Sequence, residues 1–388
     1  MPKPLTIIVG GYIVGFPLGG MTWHHLNYLL GLTSLGHEVW FLEDSGENLL
    51  PYNPKTWMTE PDSTYGREYL ENTFAAYGLK KQYCYYSQFE DKHYGLSRDE
   101  LTALLKRADL FIAVSGITPL RENRPRAKRS IVIDTDPVFT QLRMLNDSNF
   151  VDYYSRFDRV ATFGKLIGTA DCPVPTHGFD WIRTQQPISL PHWPVVETTS
   201  RRFTTIGKWE HASERHLEFK GQKFRSSKGV EWDKVQSIPA RVPFDMAMGM
   251  SSMPKEDRGR YEQAGWEMLD AEAASISARS YQEFIQQSAG EFTVAKEIYA
   301  GLPSGWFSDR SAAYLASGRP VVTQASGFDQ WLPTGCGLFS YSTADEAVTA
   351  MRKIADDWQC HSVRARQIAR EFFDAENVLS DLIDRAMG

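Results

Sequence analysis

Ser304-Gly305-Trp306-Phe307-Ser308-Asp309-Arg310-Ser311 runs directly into Ala312-Ala313-Tyr314-Leu315-Ala316-Ser317-Gly318-Arg319-Pro320-Val321-Val322. A polar loop opens a helix over 309–316, Gly318 stops it, and an apolar strand over 320–323 follows at once. The unpaired N–H groups of that helix's first turn, the hydroxyls of Ser308 and Ser311 and the charge of Arg310 suit a phosphate. The next loop, 324–330, leaves the end of its strand above the same place and carries Gly327, Asp329 and Gln330.

Outward from this stretch, short apolar strands alternate with amphipathic helices. In the first half, strands are expected over 5–9, 39–42, 109–114, 130–134 and 159–163, with a helix over 21–35 whose Leu26, Leu29, Leu30, Leu32 and Leu35 repeat at helical spacing. In the second half, strands are expected over 203–206, 291–295, 320–323 and 337–340, and helices over 281–287, 309–316 and 343–355. Thr343 and Glu346 form a capping box at the start of the last of these. Residues 48–63 read as a surface loop. Pro187, Pro191 and Pro194 mark a linker. The division predicted is 1–185 for an N-terminal domain, 186–200 for the linker, 201–370 for a C-terminal domain, and 371–388 for a terminal helix with a place to pack on the N-terminal domain. The fold class is α/β, with two Rossmann-like doubly wound domains facing across a cleft. Open parallel sheets take ligands at the carboxyl ends of their strands, so the site belongs between the domains.

At 388 residues, the length fits about two domains of roughly 150 residues each. Hydrophobic residues at 42% and charged residues at 23% exclude a disordered chain. A net charge of −6 argues against broad non-specific nucleic-acid binding. No apolar run approaches the ~18 residues of a membrane helix. Cys84, Cys172, Cys336 and Cys360 are too scattered for a disulfide framework or a zinc site, which points to reduced thiols and a cytoplasmic location.

The remaining candidates fall in two groups. Gly15-Phe16-Pro17-Leu18-Gly19-Gly20 precedes a helix and offers backbone N–H groups to an anion, or simply makes a tight turn. It matches neither the dinucleotide fingerprint nor the P-loop. His24 and His25, in the first turns of that helix, are candidate bases. So are Asp134 and Asp136, at the carboxyl end of their strand, where a turn cap is the plainer explanation. The second group is basic. Lys208 follows a strand and Lys228 begins a helix, and either one neutralises a diphosphate or lies on a solvated face.

The stretch 316–322 resembles the nucleotide-sugar-binding region of GT-B glycosyltransferases, in which a helix ends in a small-x-Gly-x-Pro-Val-Val turn. Gly305-Trp306-Phe307-Ser308 looks like the Gly-Trp-Asn-Ser of the plant secondary-product enzymes, and Asp329-Gln330 is similar to their sugar-binding acidic-Gln pair. Gly19-Gly20 and Leu35-Gly36-His37-Glu38-Val39 resemble the opening of the same enzymes. The chain departs from the retaining families at Ala313, where they carry a ribose-binding Glu. The resemblance implies metal-independent transfer of a sugar from a nucleotide-diphosphate sugar, with no cofactor, to an acceptor that is a small molecule, a glycan or a nucleic acid. It implies donor binding through Gly19, Gly20, Lys208, Lys296, Trp306, Ser308, Asp309, Arg310, Ser311, Gly327, Asp329 and Gln330, and a base from His24, His25, Asp134 or Asp136. The rival expectations are a sugar-nucleotide epimerase of the same fold, a non-catalytic nucleotide-sugar-binding protein and, against the missing fingerprint, a dinucleotide oxidoreductase.

Overall fold

A computed structural model of the chain describes residues 3–44, 46, 50–79, 81–209 and 216–388. Two sheets dominate. The first has eight strands in the order Trp181–Arg183, Arg159–Thr162, Arg129–Asp134, Leu110–Val114, Thr6–Gly10, Glu38–Asp44, Tyr83–Ser87 and Lys92–Gly95; only the last pairs antiparallel. The second has six parallel strands, ordered Glu267–Met268, Asp245–Ser251, Arg202–Lys208, Gly290–Thr293, Val321–Gln324 and Leu338–Tyr341. In each sheet the chain starts in the middle, builds to one side, and then crosses back to build the other. That is doubly wound topology, with switch points beside Thr6–Gly10 and Arg202–Lys208.

The strands are nearly continuous apolar runs because helices cover both faces of a parallel sheet. Leu110–Val114 is fully buried, and Val321–Gln324 likewise. Asp245–Ser251 lies outside the sequence expectation: its core is Met246-Ala247-Met248-Gly249-Met250, which lacks the β-branched residues that mark a strand. Within the expected 48–63 loop, Tyr52–Asn53 and Met58–Thr59 pair as a short hairpin, while Asn48 and Leu49 lie outside the described residues.

The two halves share an apolar cluster. It runs from Ile7 and Val9 through the first helix, Gly19–Ser34, to Tyr281, Leu315 and Leu338 of the second half. The connecting segment is drawn into it, with Ile188, Leu190 and Trp193 buried. Gln282 and Gln286 of the helix Ala278–Gln286 donate to the carbonyls of His192 and Pro194 in that segment. The terminal helix Ala375–Met387 packs on the first helix. Gly31 makes this possible, since a side chain there would meet Ala375 and Leu379 at 2.7 Å.

Candidate functional site

The carboxyl ends of both sheets meet around the start of the helix Asp309–Ala316. Arg310 turns back from this helix onto the sheet. Its Nε donates to Glu291 at 2.5 Å, one terminal nitrogen donates to the Ile206 carbonyl at 3.0 Å, and the other donates to the Thr293 hydroxyl at 3.0 Å. Glu291 is fully buried, and its second oxygen has no partner among the described residues. Arg310 is thus part of the floor, held by two adjacent strand ends.

Lys228, at the N-terminus of the short helix Gly229–Asp233, completes a cationic group. Burial first, and then the charges of Arg310 and Lys296, hold its ammonium well below the usual lysine range. No carboxylate lies within ion-pair distance of it among the described residues. Lys296 leans on the Phe139 ring at 4.6 Å and reaches across to Asp136 at 3.4 Å. Lys208 ends its strand exposed to solvent, apart from this group's hydrogen bonds.

The first half supplies the opposite wall. His24 presents Nδ1 to Asp309 at 3.4 Å and Nε2 to the Ser115 hydroxyl at 3.3 Å; Ser115 in turn bonds Thr135 at 2.8 Å. His25, one residue on, points away and is buried. Its Nε2 accepts from the Tyr12 N–H at 3.3 Å, while its Nδ1 bonds the Met21 carbonyl at 2.8 Å. Burial, with His24 beside it, pushes its pKa down to about 3. The structure therefore places His25 as a neutral brace of the loop after the first strand, outside the cleft.

Asp134 and Asp136 divide in the same way. Asp134 is buried and accepts from Thr140 (2.6 Å), Gln141 (3.0 Å), Thr162 (2.9 Å) and the Asp136 N–H (3.1 Å). Burial pushes it up to about 6. Val138 beside it has φ +74°, a conformation costly for a β-branched residue. The turn so fixed presents Asp136, whose side chain is 60% exposed and accepts from Tyr299 at 2.7 Å. Lys296 is the main cause that keeps the Asp136 carboxyl below the usual range.

The glycine-rich loop is already occupied. Glu43, fully buried, accepts from the N–H groups of Ile13 (2.6 Å), Val14 (2.7 Å) and Gly15 (2.7 Å), so the anion in this nest is the protein's own. Gly19 and Gly20 abut the other half. A side-chain carbon on Gly19 would lie 2.4 Å from the Ser277 carbonyl oxygen, and one on Gly20 would lie 3.3 Å from the Tyr281 ring.

The remaining donor candidates lie around the cluster. Trp306 stacks on Tyr299 at 4.4 Å. Ser308 precedes the helix, and the hydroxyl of buried Ser311 has no partner among the described residues. Gly327, with φ +87°, makes the tight turn that returns the chain beside Gly305. Asp329 and Gln330 follow it on an exposed turn. Glu291, Tyr299, Ser115 and Glu43 were not among the sequence candidates. Each lies inside or just after a strand, or on a short helix, where its residue type carries no motif.

No family model matches the sequence, and a search of the curated proteins finds no match. Solved structures do match along the whole chain. A glycosyltransferase involved in avilamycin A biosynthesis aligns with a TM-score of 0.55 at 12% identity, covering 99% of this chain and 97% of its own. An alpha-glucosyltransferase in complex with UDP and a 13-mer DNA gives 0.59 at 12%, covering 100% of both. Anabaena HepE in complex with UDP-glucose gives 0.56 at 10%, covering 98% and 99%. This chain has the GT-B fold. In GT-B terms, the Asp309–Ala316 helix start and the cation group lie on the C-terminal half, and His24 and Asp136 lie on the N-terminal half. Among the described residues, no group of three His, Cys, Asp or Glu side chains is gathered to hold a metal, and no helix is long and apolar enough to cross a membrane.

Proposed function

We propose that this chain is a glycosyltransferase that moves a sugar from a nucleotide-diphosphate sugar to an acceptor hydroxyl. One observation carries the reading. Lys228, Lys296 and Arg310 gather at the start of the Asp309–Ala316 helix, where Asp309 also meets His24, and among the described residues no carboxylate forms an ion pair with Lys228. Burial and the neighbouring Arg310 and Lys296 oppose a charge on Lys228, and an anion that enters beside it favours that charge. A diphosphate is such an anion, and its charge grows as the bond to the anomeric carbon breaks. Lys228 and Lys296, with the helix N–H groups, stabilise that leaving group without a metal. His24, turned by Asp309 and Ser115, accepts the proton of the attacking hydroxyl. The fold likeness to structures holding UDP or UDP-glucose supports the choice of donor class.

The test is a thermal-shift screen against UDP, GDP, dTDP and ADP sugars, since a ligand that binds only the native state raises the melting temperature. Lys228→Met is expected to abolish the shift. His24→Ala is expected to keep the shift and lower transfer by about 10²–10⁴-fold. A chain that no nucleotide sugar stabilises is not the enzyme proposed.

A further inference from the structure

A groove of about 700 Å³ runs along the outer side of the first helix, away from the cation group. One wall is the helix Thr64–Ala76, the other is Ala278–Gln286, and Pro194 of the connecting segment closes one end. The first helix stands between this groove and the cleft: Thr22 bonds Tyr69 at 2.9 Å and the Trp23 indole donates to the Ala278 carbonyl at 2.8 Å, while the next residue, His24, faces Asp309. The volume is that of a small-molecule site.

The lining narrows the class of ligand. Tyr65, Tyr69 and Tyr77 supply ring surface, and Asn72, Gln282 and Gln286 supply side-chain amides. The NH2 groups of the two glutamines are tied to the connecting segment, which fixes their amide planes. The four charges cancel, Lys55 and Arg279 against Glu68 and Glu283, and Arg279 already pairs with Glu283 at 2.7 Å. A phosphate or a nucleic acid finds no net positive field here. Rings that meet C–H faces, amides that meet hydroxyls, and zero net charge describe a neutral saccharide.

A second observation connects the groove to the cleft. Lys55, at the open end, belongs to the loop of the hairpin Tyr52–Thr59, and the Tyr52 N–H donates to the Gly15 carbonyl of the cleft loop at 3.0 Å. At the tip of that hairpin Trp57 is held at φ +63° and is 62% exposed, and Phe16 stacks on Tyr52 at 5.4 Å. An exposed tryptophan held in a strained conformation, on the same hairpin whose Tyr52 stacks on Phe16, offers a ring face to a sugar.

We infer that the groove binds a neutral oligosaccharide, the non-reacting length of a glycan acceptor led past the Trp57 hairpin into the cleft. This rests on the glycosyl-transfer reading. Because the two walls come from different halves of the chain, an occupied groove also fixes the angle between them.

The experiment is binding of the full chain to an array of neutral and charged glycans, with the strongest neutral glycan followed by calorimetry. The Tyr65→Ala/Asn72→Ala double variant and Trp57→Ala are compared with the parent, and the nucleotide-sugar thermal shift serves as a control for folding. Binding of a neutral glycan that falls at least tenfold in the double variant, with the donor shift intact, is the expected result. No retained neutral glycan, or equal retention by the double variant, overturns the inference and leaves the donor reading untouched. A chain that no nucleotide sugar stabilises overturns the transfer reading and, with it, the acceptor role of the groove.

Discussion

His24 and His25 are neighbours in sequence, yet they do opposite things, because successive helical residues point about 100° apart. One reaches the Asp309 carboxylate across the cleft; the other is buried under the loop it braces. The buried one contributes to the pH dependence of stability. Its folded pKa is depressed to about 3, so its contribution is present above the unfolded value of 6.5 and is lost as pH falls from there toward 3. Melting temperature measured across pH 4 to 8 is therefore expected to fall less steeply on the acid side in His25→Gln than in the parent. Arg310 shows the same separation of site from scaffold. Arg310→Ala strands the buried Glu291 carboxylate, and breaking such a pair costs about 3–5 kcal/mol. Chemical denaturation is expected to show that loss in Arg310→Ala and recover part of it in Arg310→Ala/Glu291→Gln. For this reason Lys228, which carries no ion pair among the described residues, is the better probe of donor binding.

At the scale of elements, two of the contacts between the halves bear on the site. Asp136 on one side occupies Lys296 on the other, in the place proposed for a diphosphate. Removing that internal competitor by Asp136→Asn is expected to tighten pyrophosphate binding a fewfold, while Lys296→Met weakens it; calorimetry with pyrophosphate reads both. An unchanged affinity in both variants would show that Lys296 does not meet the anion. The helices Gly19–Ser34 and Ala278–Gln286 make the second contact, and it tolerates no added atom at Gly19. Gly19→Ala forces the Ser277 backbone to shift and is expected to cost about 1–3 kcal/mol in denaturant melts. The glycine pair looks like an anion cradle in sequence because close approach to a phosphate and close approach to another helix both demand the absence of a side chain. The loop's amides cannot settle the matter in sequence either, since their partner, Glu43, lies on the next strand.

Across the whole molecule, the chain passes from the first half to the second and returns at its end. The terminal helix buries Val378, Leu379, Leu382 and Ile383, mostly against the first helix. At about 1.5–3 kcal/mol each, these four side chains together match the net stability of an ordinary domain. A chain ending at Phe373 is expected to lose cooperative melting or to be recovered unfolded, as read by calorimetry and circular dichroism. The strand–helix alternation, the helix over 309–316, the Gly318 stop and the Thr343 capping box were legible in sequence because hydrophobic period, caps and breakers act within a few residues of one another. The Met-rich strand Asp245–Ser251 escaped because its place in a sheet comes from the neighbours on both sides and not from its own residue types. The site divided along the same line. Local order named a phosphate-suited loop, two histidines and two aspartates. Which histidine faces the cleft, which aspartate is buried, and that Lys228 and Lys296 join Arg310 are facts about residues as far apart in sequence as His24 and Asp309, with charges and burial that exist only once the carboxyl ends of both sheets face each other.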